Sequence, residues 1–172
     1  MKDDAVQPDD GVGLRRLWAP WRMQYIHRPK KGGCFLCEAF SSQDDRSQLI
    51  LYRGNSCGVI LNRYPYNNGH LMIAPYRHVP DLDAMNPEER HEMIDLLSRS
   101  IQVLRRTMSA EGFNAGLNLG ECAGAGLPGH VHLHLVPRWT GDTNFMPVVG
   151  GTKVIPQSLD DLWQQLHPAF VS

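Results

Sequence analysis

From Gly129 to Trp139 the chain reads Gly-His-Val-His-Leu-His-Leu-Val-Pro-Arg-Trp, with histidine at 130, 132 and 134 and a branched apolar residue in each gap. Side chains alternate faces along an extended strand, so this spacing sets His130, His132 and His134 on one face and Val131, Leu133 and Leu135 on the other. A helix would scatter the same residues around its axis. The segment is therefore expected as a β-strand from His130 onward, with its apolar face in a core and its ladder ending at Pro137, which has no N–H to donate.

Three imidazoles on one face narrow the chemistry. With an unperturbed pKa of ~6.5, imidazole serves as nucleophile, acid, base or metal ligand near neutral pH. In one reading the central His132 attacks a phosphorus atom and becomes a covalent phospho-histidine, while its neighbours orient it and stabilise the phosphoryl oxygens. In the other, the three histidines hold a catalytic Zn²⁺ with one open position.

The remaining sequence frames that strand. Leu49 to Tyr52, Cys57 to Asn62 and Leu71 to Ala74 are short apolar runs separated by turn-forming residues at 53–56 and 65–69, which predicts an antiparallel meander. Asn62 and His70 stand at the two ends of one connection, where polar groups can converge on a ligand; an Asn there equally caps a turn. Asn86-Pro87-Glu88-Glu89 opens a helix with a capping box, and Met93, Ile94, Leu97, Ile101, Leu104 and Met108 carry its apolar stripe to a stop at Glu111-Gly112. His91 and Arg105-Arg106 fall off that stripe, on a solvated face. Gly116 to Gly120 is expected as a further strand. The small-residue loop from Cys122 to Gly129 then leads into the histidines, and glycines such as Gly124 and Gly126 let backbone N–H groups approach phosphate oxygens. A last helix is capped at Ser158, with Leu159, Leu162 and Leu166 on one face. The fold class is thus α+β: a mostly antiparallel sheet, one long helix and a short C-terminal helix.

The 172 residues suit a single domain, expected over 14–172 behind a polar, disordered tail at 1–13. Leu17 to Ile26 carries Trp18, Trp21 and Tyr25, too much apolar area for a free tail, so it should pack on the domain or on a partner subunit. Seventeen basic against eighteen acidic side chains leave a net charge of −1, which argues against a general binder of nucleic-acid polymers. No run approaches the ~18–20 apolar residues of a membrane span, and Met1-Lys2-Asp3-Asp4 opens no signal-peptide core, so a cytosolic protein is expected. In that compartment the four cysteines are thiols or metal ligands rather than a disulfide framework. Cys34-x-x-Cys37 has the spacing of half a zinc knuckle; a redox pair is the rival but lacks a thioredoxin-like context. Cys57 and Cys122 read as small buried residues.

The pattern His-φ-His-φ-His-φ-φ at 130–136, with φ apolar, resembles the histidine-triad (HIT) nucleotide-binding family. Asn62, Gly69-His70, Ala74-Pro75-x-x-His78, Cys34-x-x-Cys37, Gly116-x-Asn118 and Pro137-Arg138 stand in family-like order and extend the likeness over most of 34–139. The flanks at 17–22 and 141–147 resemble the branch of bacterial diadenosine tetraphosphate phosphorylases. The resemblance implies a HIT fold, usually homodimeric, that cleaves dinucleoside polyphosphates through a nucleotidyl-His132 intermediate, with phosphate or water as second nucleophile. Phosphorolysis of diadenosine tetraphosphate would give ADP and ATP; hydrolysis of nucleoside phosphoramidates is the alternative within the fold. Implied roles are charge stabilisation by His134 and His130, ribose contact by Asn62, and nucleotide contact by His70, Asn118, Gly124 and Gly126. Arg138 would neutralise phosphate, and Trp139 would border the nucleotide or serve structure alone. Metal-bearing relatives place ligands at positions matching His78 and His130, which would complete a structural zinc site with Cys34 and Cys37 and divide the role of His130. One departure stands out: Gly126 and Leu127 occupy positions where relatives typically carry Gln and Ser or Thr.

Overall fold

The computed structural model describes residues 33–143 and 154–171, all within one unit spanning Gly33–Ser172. The expectations for the tail, for Leu17 to Ile26 and for the flank beyond Thr143 fall on residues outside those described.

Cys34 starts the first helix. Its Sγ accepts the Cys37 N–H at 3.5 Å, so the two cysteines sit on the opening turn of α1 (Phe35–Ser41). A short α2 (Asp45–Gln48), capped by the Asp44 carboxylate, leads into the sheet. The predicted meander follows as β1 (Ile50–Arg53), β2 (Cys57–Leu61) and β3 (Leu71–Pro75). β2 and β3 are buried along their full lengths, which is why they read as continuous apolar runs rather than alternating ones. In β2, Gly58 is dictated by packing, since a Cβ there would come within 2.5 Å of the Phe40 ring.

The long helix α3 (Pro87–Met108) has the predicted capping box: the Asn86 side chain accepts from Glu89 N–H, and the Glu89 carboxylate accepts from Asn86 N–H. Its buried arc is Met93, Leu96, Ser100, Val103 and Leu104. The arc is rotated from the expected stripe: Leu97, Ile101 and Met108 lie on its shoulder, and Ile94 is 57% exposed. The helix stops before Glu111, because Ser109 adopts the left-handed conformation (φ 52°). β4 (Gly112–Leu117) therefore begins earlier than Gly116. β5 (Leu133–Arg138) completes a five-stranded sheet in the order β1-β2-β3-β5-β4, with every neighbouring pair antiparallel. α4 (Leu159–Val171) packs through Leu162, Leu166 and Phe170 beside α3 and β1, and the Trp163 indole N–H donates to Ile50 O at 2.8 Å. Ser158 caps it as read, accepting from Asp161 N–H. Among the described residues no helix is long and apolar enough to cross a membrane.

Both ends of β5 differ from the reading of the sequence. The ladder starts at Leu133, so His130 and His132 precede it. Pro137 does not end it either, but pairs with Phe113 of β4. The reason is the offset of β3, whose pairs with β5 run only from Leu71↔Leu135 to Ile73↔Leu133. Pro137 presents its carbonyl to Asn67, in the loop before β3, where no strand remains to require the missing N–H.

Candidate active site and metal centre

Two clusters of side chains flank the start of β5. In the first, His132 Nδ1 lies 2.8 Å from the carbonyl oxygen of His130. A carbonyl only accepts, so Nδ1 carries the proton and Nε2 keeps its lone pair. Burial lowers the pKa of His132, which holds the ring neutral. His134, whose ring centroid is 4.8 Å away, is oriented by a chain of bonds from the β2–β3 loop. Tyr66 N–H donates to His70 Nδ1 at 3.1 Å, so His70 carries its proton on Nε2 and gives it to His134 Nδ1 at 3.0 Å. His134 is left with an Nε2–H to offer. Burial first, and then neighbouring histidines, push His70 down to about 3 and His134 down to about 4.

The second cluster brings Cys34, Cys37, His78 and His130 together, their donor atoms all within 4.8 Å of one another. His130 is fully buried, and its Nε2 lies 2.8 Å from Pro75 O. By the same argument Nε2 is protonated, and the Nδ1 lone pair faces Cys34 Sγ at 3.1 Å and Cys37 Sγ at 3.5 Å. His78 Nδ1 stands 3.3 Å from Cys37 Sγ. Burial and the neighbouring Cys34 push the Cys37 thiol up to about 11, as expected where two sulfurs crowd without a compensating charge. Two thiols and two imidazoles, one with its ligating nitrogen unprotonated and its other N–H bonded to a carbonyl, fit a tetrahedral zinc site with an oriented outer shell.

The three histidines of the triad are thus not one ligand set. His130 turns to the thiols, and His134 Nδ1 is taken by His70, so a metal held by His130, His132 and His134 is not supported.

The other predicted residues divide. Asn62 caps its turn, its Oδ1 accepting from Tyr64 N–H at 2.8 Å, while its amide lies 3.4 Å from His70 Nδ1. Asn118 follows Leu117, which pairs with Leu133, and so stands level with His132. Gly124 adopts φ 84° and donates its N–H to Glu121 O at 2.9 Å, which occupies the donor expected to meet phosphate; Gly126 is exposed on the same loop. Arg138 is committed elsewhere: its Nε and Nη2 form a bidentate pair with Asp142 at 2.6 and 2.9 Å, and Nη1 donates to Asn114. The indole of Trp139 donates to Met108 O at 3.0 Å, the structural alternative. Cys57 is buried as read, but Cys122 is exposed on a 3₁₀ turn, since its loop projects from the core.

The HIT domain family model matches residues 43–141. The AP-4-A phosphorylase of Mycobacterium tuberculosis is 41% identical over 165 residues, covering 89% of this chain and 85% of the relative. The chain belongs to the HIT family. The asymmetrical bis(5'-nucleosyl)-tetraphosphatase of Schizosaccharomyces pombe is 32% identical over 93 residues, 54% of this HIT chain and 50% of that relative. Among solved structures, a Zn-bound histidine triad protein from Mycobacterium smegmatis superposes with a TM-score of 0.64 at 24% identity, covering 81% of this chain and 94% of that one.

Three features of this HIT site were not read from the sequence. Tyr66, 51% exposed, lays its ring 4.6 Å from His70 and 5.8 Å from His134, which its place in the turn run 65–69 does not announce. Gly116 pairs with His134 across the β4–β5 ladder, and a Cβ there would meet nothing within 4 Å, so space is kept beside the imidazole. Asn67, buried in the turn run, ties the loop carrying His70 to Asp142 at 2.9 Å. Only Gly116 left a signal, as a side-chain-free position in a strand.

Proposed function

We propose that the chain is a dinucleoside polyphosphate phosphorylase acting on diadenosine tetraphosphate through a covalent adenylyl-His132 intermediate. The observation that carries this reading is the His132 Nδ1–H bond to His130 O, which leaves the Nε2 lone pair available on a neutral ring. Nε2 attacks the α-phosphorus, the bond to the bridging oxygen breaks, and ATP leaves. His134, with its proton on Nε2, donates to the phosphoryl or leaving oxygen. Inorganic phosphate then attacks the same phosphorus, the P–N bond returns its pair to His132, and ADP departs. The 41% identical relative named AP-4-A phosphorylase supports this choice of substrate and acceptor. So do Gly126 and Leu127, which put no polar side chain where a second anion must enter. Because Arg138 is paired with Asp142, anion contacts are assigned instead to His134, Asn118 and loop N–H groups such as that of Gly126.

Cys34, Cys37, His78 and His130 would hold a structural zinc, which when bound supplies a cation that fixes α1 against the start of β5. About one zinc per chain by elemental analysis, with a lower melting temperature after chelation, is expected; a metal-free chain of unchanged stability would remove the assignment. We place the protein in the cytosol and read it as a homodimer.

Product analysis tests the reaction. With diadenosine tetraphosphate, ADP should replace AMP as phosphate is raised; AMP and ATP in constant ratio at every phosphate concentration would make the chain a hydrolase. Turnover confined to adenosine phosphoramidates would favour the alternative within the fold.

A further inference from the structure

His130 belongs to both clusters. Its Nδ1 faces the two sulfurs, its Nε2–H donates to Pro75 O, and its carbonyl accepts the His132 Nδ1–H. The β3–β5 and β4–β5 ladders both end at Leu133, paired with Ile73 and Leu117, so His132 stands just past the last paired residue and its ring is oriented by contacts outside the ladders. Residues 129–132 are tied down by the His130 N–H bond to Leu127 O at 3.3 Å and otherwise from the metal-ligand side. Beyond the ladder the His130 imidazole supplies the bond to Pro75, Val131 N–H donates to Val79 O at 2.7 Å, and Gly129 abuts the His78 ring, where a Cβ would sit 3.1 Å from Nε2. Without a shared cation, the His130 ring is held by its bond to Pro75, by the edge of the His78 ring and by contact with two crowded thiols.

We propose that the Cys34, Cys37, His78 and His130 group is the positioning device for His132, so that loading it with a divalent cation governs the chemical step as well as stability. The coupling passes through one main-chain carbonyl: movement of the His130 ring carries its carbonyl, and with it the bond that keeps the His132 lone pair on Nε2. His130 is accordingly a positioning residue rather than a catalytic one. This rests on the reading of His132 as nucleophile and of the group as a metal site.

The test uses the full-length chain, stripped by a chelator and reloaded with zinc, with His132 ring ¹⁵N resonances followed beside steady-state kinetics. Loaded protein should show one His132 tautomer, protonated on Nδ1. Stripped, folded protein should show averaged tautomers and a kcat lower by about ten- to a hundredfold with KM changed less than about twofold, both restored by zinc. A stripped, folded chain with the loaded chain's His132 resonances and kcat would overturn the proposal. If stripping unfolds the chain, cadmium loading supplies the comparison, because its longer bonds to sulfur must shift the same resonances and kcat; unchanged values overturn the proposal equally. A loaded chain that does not turn over diadenosine tetraphosphate refutes the proposed reaction and leaves the resonances to decide the coupling. A chain that takes up no zinc refutes both coupling and metal assignment.

Discussion

His132 can act as a nucleophile because a neighbouring carbonyl dictates which of its nitrogens is protonated. In the proposed reaction, replacing it removes the attacking atom and little of the surrounding site. His132→Ala should therefore lose at least about 10³-fold in kcat while binding a dinucleotide with near-native affinity; single-turnover labelling should then show no adenylyl-protein, and retained labelling would move the nucleophile elsewhere. The depressed pKa values of His70 and His134 also set a pH dependence of stability. In the unfolded chain both rings take up protons near ~6.5, whereas in the folded chain they resist protonation down to about 3 and about 4. Between those values the unfolded state binds more protons. Stability should be fully present above pH ~6.5 and fall as pH is lowered, by up to ~1.4 kcal/mol per pH unit for each group. Urea midpoints at about pH 7.5 and pH 5 measure this largely clear of carboxylate titration. Equal midpoints would contradict the burial of these rings.

At the level of elements, the β2–β3 loop has little freedom. Gly69 holds φ 76°, and a Cβ there would lie 3.0 Å from both Met108 Sδ and Pro137 Cγ. Gly69→Ala should destabilise the fold by about 2 kcal/mol or more, a melting shift of several degrees, and disturb the adjoining His70; a melt within about one degree of the parent would show that α3 and β5 yield. This loop also marks the limit of what the sequence discloses. Asn86, Glu89 and Ser158 declared their helix starts because capping is local chemistry, and β2 and β3 declared themselves by unbroken apolar runs. The end of a ladder depends on where the partner strand stops, so the period-two pattern extends past the hydrogen-bonded strand to His130. The start of β4 is hidden for a related reason: at the sheet edge Asn114, Ala115 and Gly116 are exposed and carry no alternation. Arg138 reads as a phosphate ligand because nothing in its sequence position announces the bidentate pair with Asp142, and the candidate metal group is legible only through Cys34-x-x-Cys37 until the family resemblance supplies two histidines.

For the whole molecule, β4 is an edge strand among the described residues, with small side chains at its centre, and we propose it as the place where a second copy would extend the sheet. Sedimentation should show two chains per particle, and Ala115→Lys, at an exposed position, should shift that particle toward monomer while sparing the melt of the isolated domain; an unaltered dimer would place the interface elsewhere. Cys34 and His130, in contact at 3.1 Å, are separated by 96 positions, with most of the sheet and all of α3 between them. During synthesis at ~5–20 residues per second, the first cysteine waits roughly 5–20 s before its histidine partner has been made. Through that interval the two thiols lack this partner while oxidants and competing metals are present, and contact between Cys34 and His130 cannot form until β1 to β4 and α3 have all been made.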